Sequence, residues 1–155
     1  MIIKETRGSI LDTPHPFIAH GVNCQNAMGS GVAKVLFQKY PQVKKEYHDY
    51  CNKVYHLIIE STAELLGTVQ FVDCEDKTIL NCFTQDFYGY DGKQYVSYEA
   101  IKNCFEALRS SELVQGKTIA IPRIGCGLAG GDWETVKKII NEASGDHYSV
   151  EVYYL

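Results

Sequence analysis

The chain has 155 residues, 45% apolar and 22% charged, a composition that suits one globular domain over residues 1–155 with a full hydrophobic core. Fifteen basic and 19 acidic side chains leave a net charge of −4 without a basic patch, which argues against a nucleic-acid duplex as partner. No apolar run approaches the roughly 20 residues of a membrane span, and the opening Met1-Ile-Ile-Lys-Glu5 does not read as a signal peptide. Six cysteines (Cys24, Cys51, Cys74, Cys82, Cys104, Cys126) form no C-x-x-C pair. That pattern predicts reduced thiols in a cytoplasmic protein and no metal site.

Residues 1–6 predict a short first strand, and Thr13-Pro-His-Pro16 a turn. A second strand spans 16–22, followed by a loop over 23–30. From Gly31 the pattern turns helical, with Val32, Val35 and Leu36 on one face. Pro41 interrupts it, and a second helix runs over 42–53. Residues 56–66 are ambiguous between helix and strand. Strands over 67–72 and 78–83 follow, joined by the polar turn 74–77. A loop over 85–94 is rich in aromatics and glycine. Ser97 caps a helix whose Ile101, Cys104, Phe105 and Leu108 form an apolar stripe. A strand over 117–121 leads into a glycine-dense turn. The last helix starts near Asp132, carries Val136, Ile139, Ile140 and Ala143 in the same spacing, and stops at Gly145. A strand over 149–154 closes the chain. Alternating strands and helices predict an α/β fold with a mixed sheet between helices, binding ligand at the carboxyl ends of strands.

Two stretches leave a strand, cross glycines and enter a helix: His20-Gly-Val-Asn-Cys-Gln-Asn-Ala-Met-Gly-Ser-Gly-Val-Ala33 and Ile119-Ala-Ile-Pro-Arg-Ile-Gly-Cys-Gly-Leu-Ala-Gly-Gly-Asp-Trp133. Glycines let a ligand approach the main chain, and helix starts offer unpaired N–H groups and a positive dipole end. Each reads as an anion site, and the pair as a clamp on a diphosphate. Two literal motif matches are set aside. Gly125-x-Gly127-x-x-Gly130 satisfies a dinucleotide fingerprint, but too little chain follows to complete a βαβ unit. Ser111-x-x-x-x-Gly116-Lys117-Thr118 lacks the first glycine of a P-loop and precedes a strand.

An Asn after the second strand, the Gly-Ser-Gly-Val-Ala loop and the late Ile-Gly-Cys-Gly-Leu loop resemble a macro domain, a family that binds ADP-ribose. The resemblance covers nearly the whole chain. It implies a single macro-type domain, a mixed twisted β-sheet sandwiched between α-helices. Pro-Arg-Ile-Gly-Cys-Gly-Leu resembles the branch that holds the small ADP-ribose-1''-phosphate phosphatases and the terminal ADP-ribose protein glycohydrolases. Val22-Asn-Cys24, residues 39–47 and the tail from Ser144 lean toward the phosphatases.

By that resemblance Gly29, Ser30, Gly31, Val32 and Ala33 take the phosphate near the terminal ribose, and Ile124, Gly125, Cys126, Gly127 and Leu128 take the diphosphate. Asn23 matches the asparagine that holds the terminal ribose hydroxyls. His20 occupies the place of a phosphatase histidine, as general base for a water or as proton donor to the leaving ribose oxygen. Phe87 and Tyr88 lie over the terminal ribose, Asp86 is the nearest carboxylate that could assist catalysis, and Tyr153 matches an aromatic that stacks on adenine. Ser9, with Ile10 after it, stands where the family usually has an Asp for the adenine amino group, so the usual adenine contact is weakened. Gln85 and Ala129 stand where the glycohydrolases have a Lys nucleophile and an Asp acid, which argues against lysine-dependent removal of ADP-ribose. The implied activity is a phosphatase acting on ADP-ribose-1''-phosphate without a cofactor. The alternatives are a non-catalytic reader or sequestering protein for ADP-ribose, an ADP-ribosylated protein or a cyclic ADP-ribose signal, and a deacylase of acyl esters of ADP-ribose.

Overall fold

The computed structural model describes residues 1–28, 30–56 and 61–155. The chain runs β1 (Ile2–Arg7), β2 (Phe17–Asn23), α1 (Gly31–Lys39), α2 (Pro41–Tyr55), β3 (Val69–Asp73), β4 (Thr78–Gln85), α3 (Tyr98–Ala107), β5 (Thr118–Ile121), α4 (Trp133–Ser144) and β6 (Ser149–Tyr154). The boundaries read from sequence are met within two residues. In the ambiguous stretch, Leu57, Ile58, Ile59 and Glu60 lie outside the described residues. Thr62–Leu65 form a 3-10 turn opened by a Ser61–Glu64 capping box.

The six strands form one mixed sheet in the order β1-β6-β5-β2-β4-β3. All neighbours are parallel except β3, which pairs antiparallel with β4. The turn over 74–77 makes that hairpin possible, whereas every parallel pair needs a longer crossover. Alternation along β2 and β4 sorts their side chains to two faces. Ala19, Leu80 and Cys82 pack with Ile101, Phe105, Val136 and Ile140 of α3 and α4. Ile18, Val22, Ile79 and Phe83 pack with Leu36, Phe37, Val43 and Tyr47 of α1 and α2. The result is three layers with two cores, as a largely parallel sheet requires. The six cysteines are free thiols. Among the described residues, no helix is long and apolar enough to cross a membrane.

Among the described residues, one Asp, Glu, Lys or Arg side chain, that of Glu151, is buried. Glu151 on β6 is 7% exposed, and its carboxylate accepts from Thr6 Oγ1 at 3.0 Å and meets His15 Nε2 at 3.0 Å. Burial pushes this carboxyl up, but hydrogen bonds led by those from His15 and Thr6 outweigh it and hold it below the usual range. A carboxyl whose folded pKa is depressed stabilises the fold above its unfolded pKa, and that stability is lost as pH falls through the folded value. Urea midpoints taken below pH 5 should therefore fall more steeply for the wild type than for Glu151→Gln, which has no carboxyl to protonate. Parallel slopes for the two proteins would remove Glu151 from the acid response.

Candidate active site

The five parallel strands all end on the same side of the sheet, and there they enclose a cavity of about 520 Å³. Its floor includes His20, Gly21 and Asn23 of β2, and its walls come from the turns after β1, β2 and β5. The loop after β4 contributes Gln85, Tyr88, Gly89 and Tyr90, and the end of β6 contributes Tyr153, Tyr154 and Leu155. The volume suits a dinucleotide-sized ligand. Among the described residues, Arg123 is the only lining side chain with a permanent charge, and no Asp or Glu lines the cavity. Its guanidinium lies 4.4 Å from the centroid of the Tyr154 ring, a stacked cation at the cavity's edge.

Two turns present main-chain N–H groups. In the turn after β5, Ile124, Cys126, Gly130 and Gly131 donate to carbonyls within the turn. The amides of Gly125, Gly127 and Leu128 donate to no acceptor among the described residues. Gly125 has structural reasons to be glycine: φ is +76°, and an added Cβ would lie 2.6 Å from Val96 Cγ2. Gly127 has neither reason. Its φ is not positive, and an added Cβ would meet nothing within 4 Å. Gly127 is among the residues that line the cavity. The second turn enters α1 after Ser30, whose side chain makes no capping bond, and the first turn of α1 carries no acidic residue. The N-terminus of α1 therefore keeps its donors and its dipole for a ligand.

The two helix starts differ in a way the sequence reading did not separate. The N-terminus of α4 was expected to add unpaired donors to the second anion site. The Asp132 carboxylate instead accepts from the Thr135 amide at 3.0 Å and from its hydroxyl at 2.7 Å. A built-in carboxylate already occupies that helix start, so the second anion site consists of turn amides alone.

His20 is 1% exposed, and its Nε2 lies 2.6 Å from Asn81 Oδ1. Its Nδ1 is buried without a partner. Burial pushes the imidazole down to about 4, although the Asn81 contact pulls the other way. The ring is thus neutral near pH 7 in the empty site, with a lone pair that can accept a proton.

The description of the Macro domain family matches residues 19–140. The chain belongs to the macro domain family. A Lodderomyces elongisporus protein named ADP-ribose 1''-phosphate phosphatase is 26% identical, with 98% of this chain and 99% of the relative covered. A Candida albicans protein of the same name is 29% identical over 87% of this chain and 86% of its own. A solved Bacteroides thetaiotaomicron protein of unknown function superposes with a TM-score of 0.81 at 26% identity, covering 98% of this chain and 97% of that one.

Within this macro domain the residues singled out from sequence separate into groups. Ser9, Ile10, His20, Asn23, Ser30, Gly31, Val32, Ala33, Tyr88, Ile124, Gly125, Cys126, Gly127, Leu128 and Tyr153 all line the cavity, while Gly29 lies outside the described residues. Asp86 and Phe87 do not line it. The Asp86 carboxylate instead accepts from Thr62 Oγ1 at 2.7 Å and Gln25 Nε2 at 2.9 Å, and Phe87 is 60% exposed. Asn23 reaches the cavity, but its amide holds the following turn: Oδ1 accepts from the Gln25 and Ala27 amides and from Tyr47 Oη. Tyr153 is buried with its hydroxyl on Thr13 Oγ1 at 3.0 Å, so the open aromatic ring at that end is Tyr154. The Ser9 oxygen accepts from the Leu11 amide at 3.2 Å, which engages one of its lone pairs. The Cys126 thiol is pushed up to about 11 by burial and the Asp132 charge, so it stays protonated. Sequence reasoning passed over Tyr90, Arg123, Tyr154 and Asn81. An aromatic-glycine run marked only the first of these.

The buried imidazole has a consequence for stability. The unfolded chain takes up a proton at His20 below about pH 6.5, which the folded protein refuses until about pH 4. Stability should therefore fall as pH drops across that window, by about 3 kcal/mol at its acid end. His20→Gln should flatten the profile between pH 6.5 and 4 in urea denaturation. An unchanged slope would mean that His20 is not buried in its neutral form.

Proposed function

We propose that this macro domain hydrolyses the phosphate monoester of ADP-ribose 1''-phosphate, giving ADP-ribose and inorganic phosphate. The observation that carries the proposal is the cavity itself. Among the described residues it has unpaired amides in the turn after β5, an α1 N-terminus without a side-chain cap, no Asp or Glu in its lining, and one neutral histidine with an unpartnered ring nitrogen. Relatives that carry the phosphatase name over nearly the whole chain support it.

The ligand would lie with its diphosphate against the amides of Gly125, Gly127 and Leu128. The 1''-phosphate would meet the N-terminus of α1. Neutral donors suit this task, because aligned N–H dipoles stabilise anionic oxygen without adding a mobile counter-charge. Asn23 would exchange its 3.3 Å contact with the Ala27 carbonyl for a ribose hydroxyl. Tyr88 and Tyr90, both exposed, would close over the ribose and shed water. Arg123 and Tyr154 offer a flat stacked surface to the base. An attacking water forms the new P–O bond and gives its proton to His20. The bond from phosphorus to the ribose oxygen breaks, and that oxygen leaves with the proton. The dianionic phosphate raises the basicity of His20 while it is bound.

Incubation with ADP-ribose 1''-phosphate should release phosphate and ADP-ribose in equal amounts. His20→Gln should lower kcat by about a hundredfold and leave the Kd for ADP-ribose near the wild-type value. Binding of ADP-ribose without any phosphate release would move the protein to the readers that bind and do not cleave.

Gly127→Ala tests the placement of the diphosphate separately. The new methyl meets no protein atom, so unfolding stability should equal the wild type or exceed it by up to about 1 kcal/mol. Calorimetric affinity for ADP-ribose should nevertheless drop by about tenfold or more, near 1.4 kcal/mol. Unchanged affinity would place the diphosphate elsewhere in the cavity.

A further inference from the structure

The ring of His20 stands at one end of a row of hydrogen bonds that crosses three strands. His20 on β2 is paired in register with Asn81 on β4, and Asn81 with Gln70 on β3. His20 Nε2 meets Asn81 Oδ1 at 2.6 Å, Asn81 Nδ2 donates to Gln70 Oε1 at 3.1 Å, and Gln70 Nε2 donates to the Glu46 carbonyl of α2 at 3.0 Å. The direction of every bond follows from the far end. A backbone carbonyl can only accept, so Gln70 must turn its NH₂ to α2 and its oxygen to Asn81. Asn81 must then turn its NH₂ to Gln70 and its oxygen to His20. An amide oxygen can only accept, so the proton of the neutral ring sits on Nε2. Nδ1 is left as a lone-pair acceptor, and it has no protein partner. Phe37 meets the ring edge-on with centroids 6.2 Å apart, which opposes a ring flip that would exchange the two nitrogens.

We infer that Gln70 is a positioning residue for the reaction: acting through Asn81, it holds His20 in the Nε2–H tautomer, so that Nδ1 is always the free acceptor of a ring that lines the cavity. The inference rests on the phosphatase reading for its effect on rate, but not for the tautomer. Gln70 is half-buried on the edge strand and does not line the cavity. Without it, Asn81 would be free to turn over and present NH₂ to Nε2. The ring would then carry its proton on Nδ1 and have no lone pair for the attacking water.

Two variants separate position from bulk. Gln70→Met keeps an unbranched chain of similar length and removes the amide. Gln70→Glu keeps an oxygen that accepts from Asn81 Nδ2 and so keeps the direction of the row. Long-range ¹H–¹⁵N correlation of the imidazole nitrogens at pH 7 reads the tautomer without substrate. The wild type and Gln70→Glu should show a protonated Nε2 and a bare Nδ1, and Gln70→Met should show a population protonated at Nδ1. In the phosphatase assay Gln70→Met should lower kcat by about tenfold with KM within about twofold of wild type, and Gln70→Glu should restore most of the loss. A wild-type ring protonated on Nδ1, or a Gln70→Met spectrum identical to wild type, would overturn the inference. If no variant and no wild type turned over substrate, the phosphatase reading would fall, and the ring spectra would still decide the tautomer.

Discussion

Parallel pairing of five strands is the constraint on which the rest of this protein depends. Parallel neighbours need crossovers, the crossovers place helices on both faces, and the strands between them must then be apolar on both sides. β2 satisfies this with Phe17 and Ala19 toward α3 and α4, and Ile18 and Val22 toward α1 and α2. The same pairing delivers β1, β2, β4, β5 and β6 to one edge of the sheet, where the chain turns after β1, β2, β4 and β5. Turning chain cannot satisfy all of its own amides. The cavity is the place where several unsatisfied turns meet.

That origin explains why the site is nearly uncharged. A lining of lysines would attract phosphates more strongly at long range, but long cationic side chains lose rotamer freedom when they bind. Main-chain donors are already ordered by the fold and lose little more. The chain reinforces the choice by removing competitors. Asp132 caps its own helix, and Asp86 is held by Thr62 and Gln25, so the nearby carboxylates face other partners than the cavity. Among the described residues, an anion entering the cavity meets main-chain dipoles and Arg123 but no Asp or Glu side chain.

The fold was largely legible in the sequence because its signals are local. The stripe from Ile101 to Leu108, the Ser97 cap, the break at Pro41 and the stop at Gly145 each lie within one element, and each appears in the structure. The two glycine turns were legible for the same reason, since strand, glycines and helix follow one another along the chain. What escaped depends on pairing across the sheet. That β1 sits beside β6 brings Ser9 near Tyr154, and no local pattern reports it. The engagement of Asn23 by its own turn, the capture of Asp86 by Thr62, and the exchange of Tyr153 for Tyr154 as the open ring all turn on contacts distant in sequence or on a one-residue change of face. The role of Asn81 was invisible because it lies mid-strand in an apolar run, where sequence suggests only burial.

Two side-chain atoms among the described residues are buried without a partner, His20 Nδ1 and Thr84 Oγ1. A buried acceptor or hydroxyl left alone costs about 1–3 kcal/mol, so each calls for a physical account. Thr84 does not line the cavity, and its Oγ1 would sit 2.6 Å from a Cβ at position 21. Its hydroxyl fills the space that Gly21 vacates, and close packing is its account. Packing does not account for His20. The residue lines the cavity, its other nitrogen is fixed by a row of amides ending on a backbone carbonyl, and an apolar side chain could fill the same volume without the penalty. A lone pair kept dry, oriented and unpaired in a ring that lines the cavity costs stability in the empty protein. On the phosphatase reading, that nitrogen gains a partner when a water comes in with the ligand.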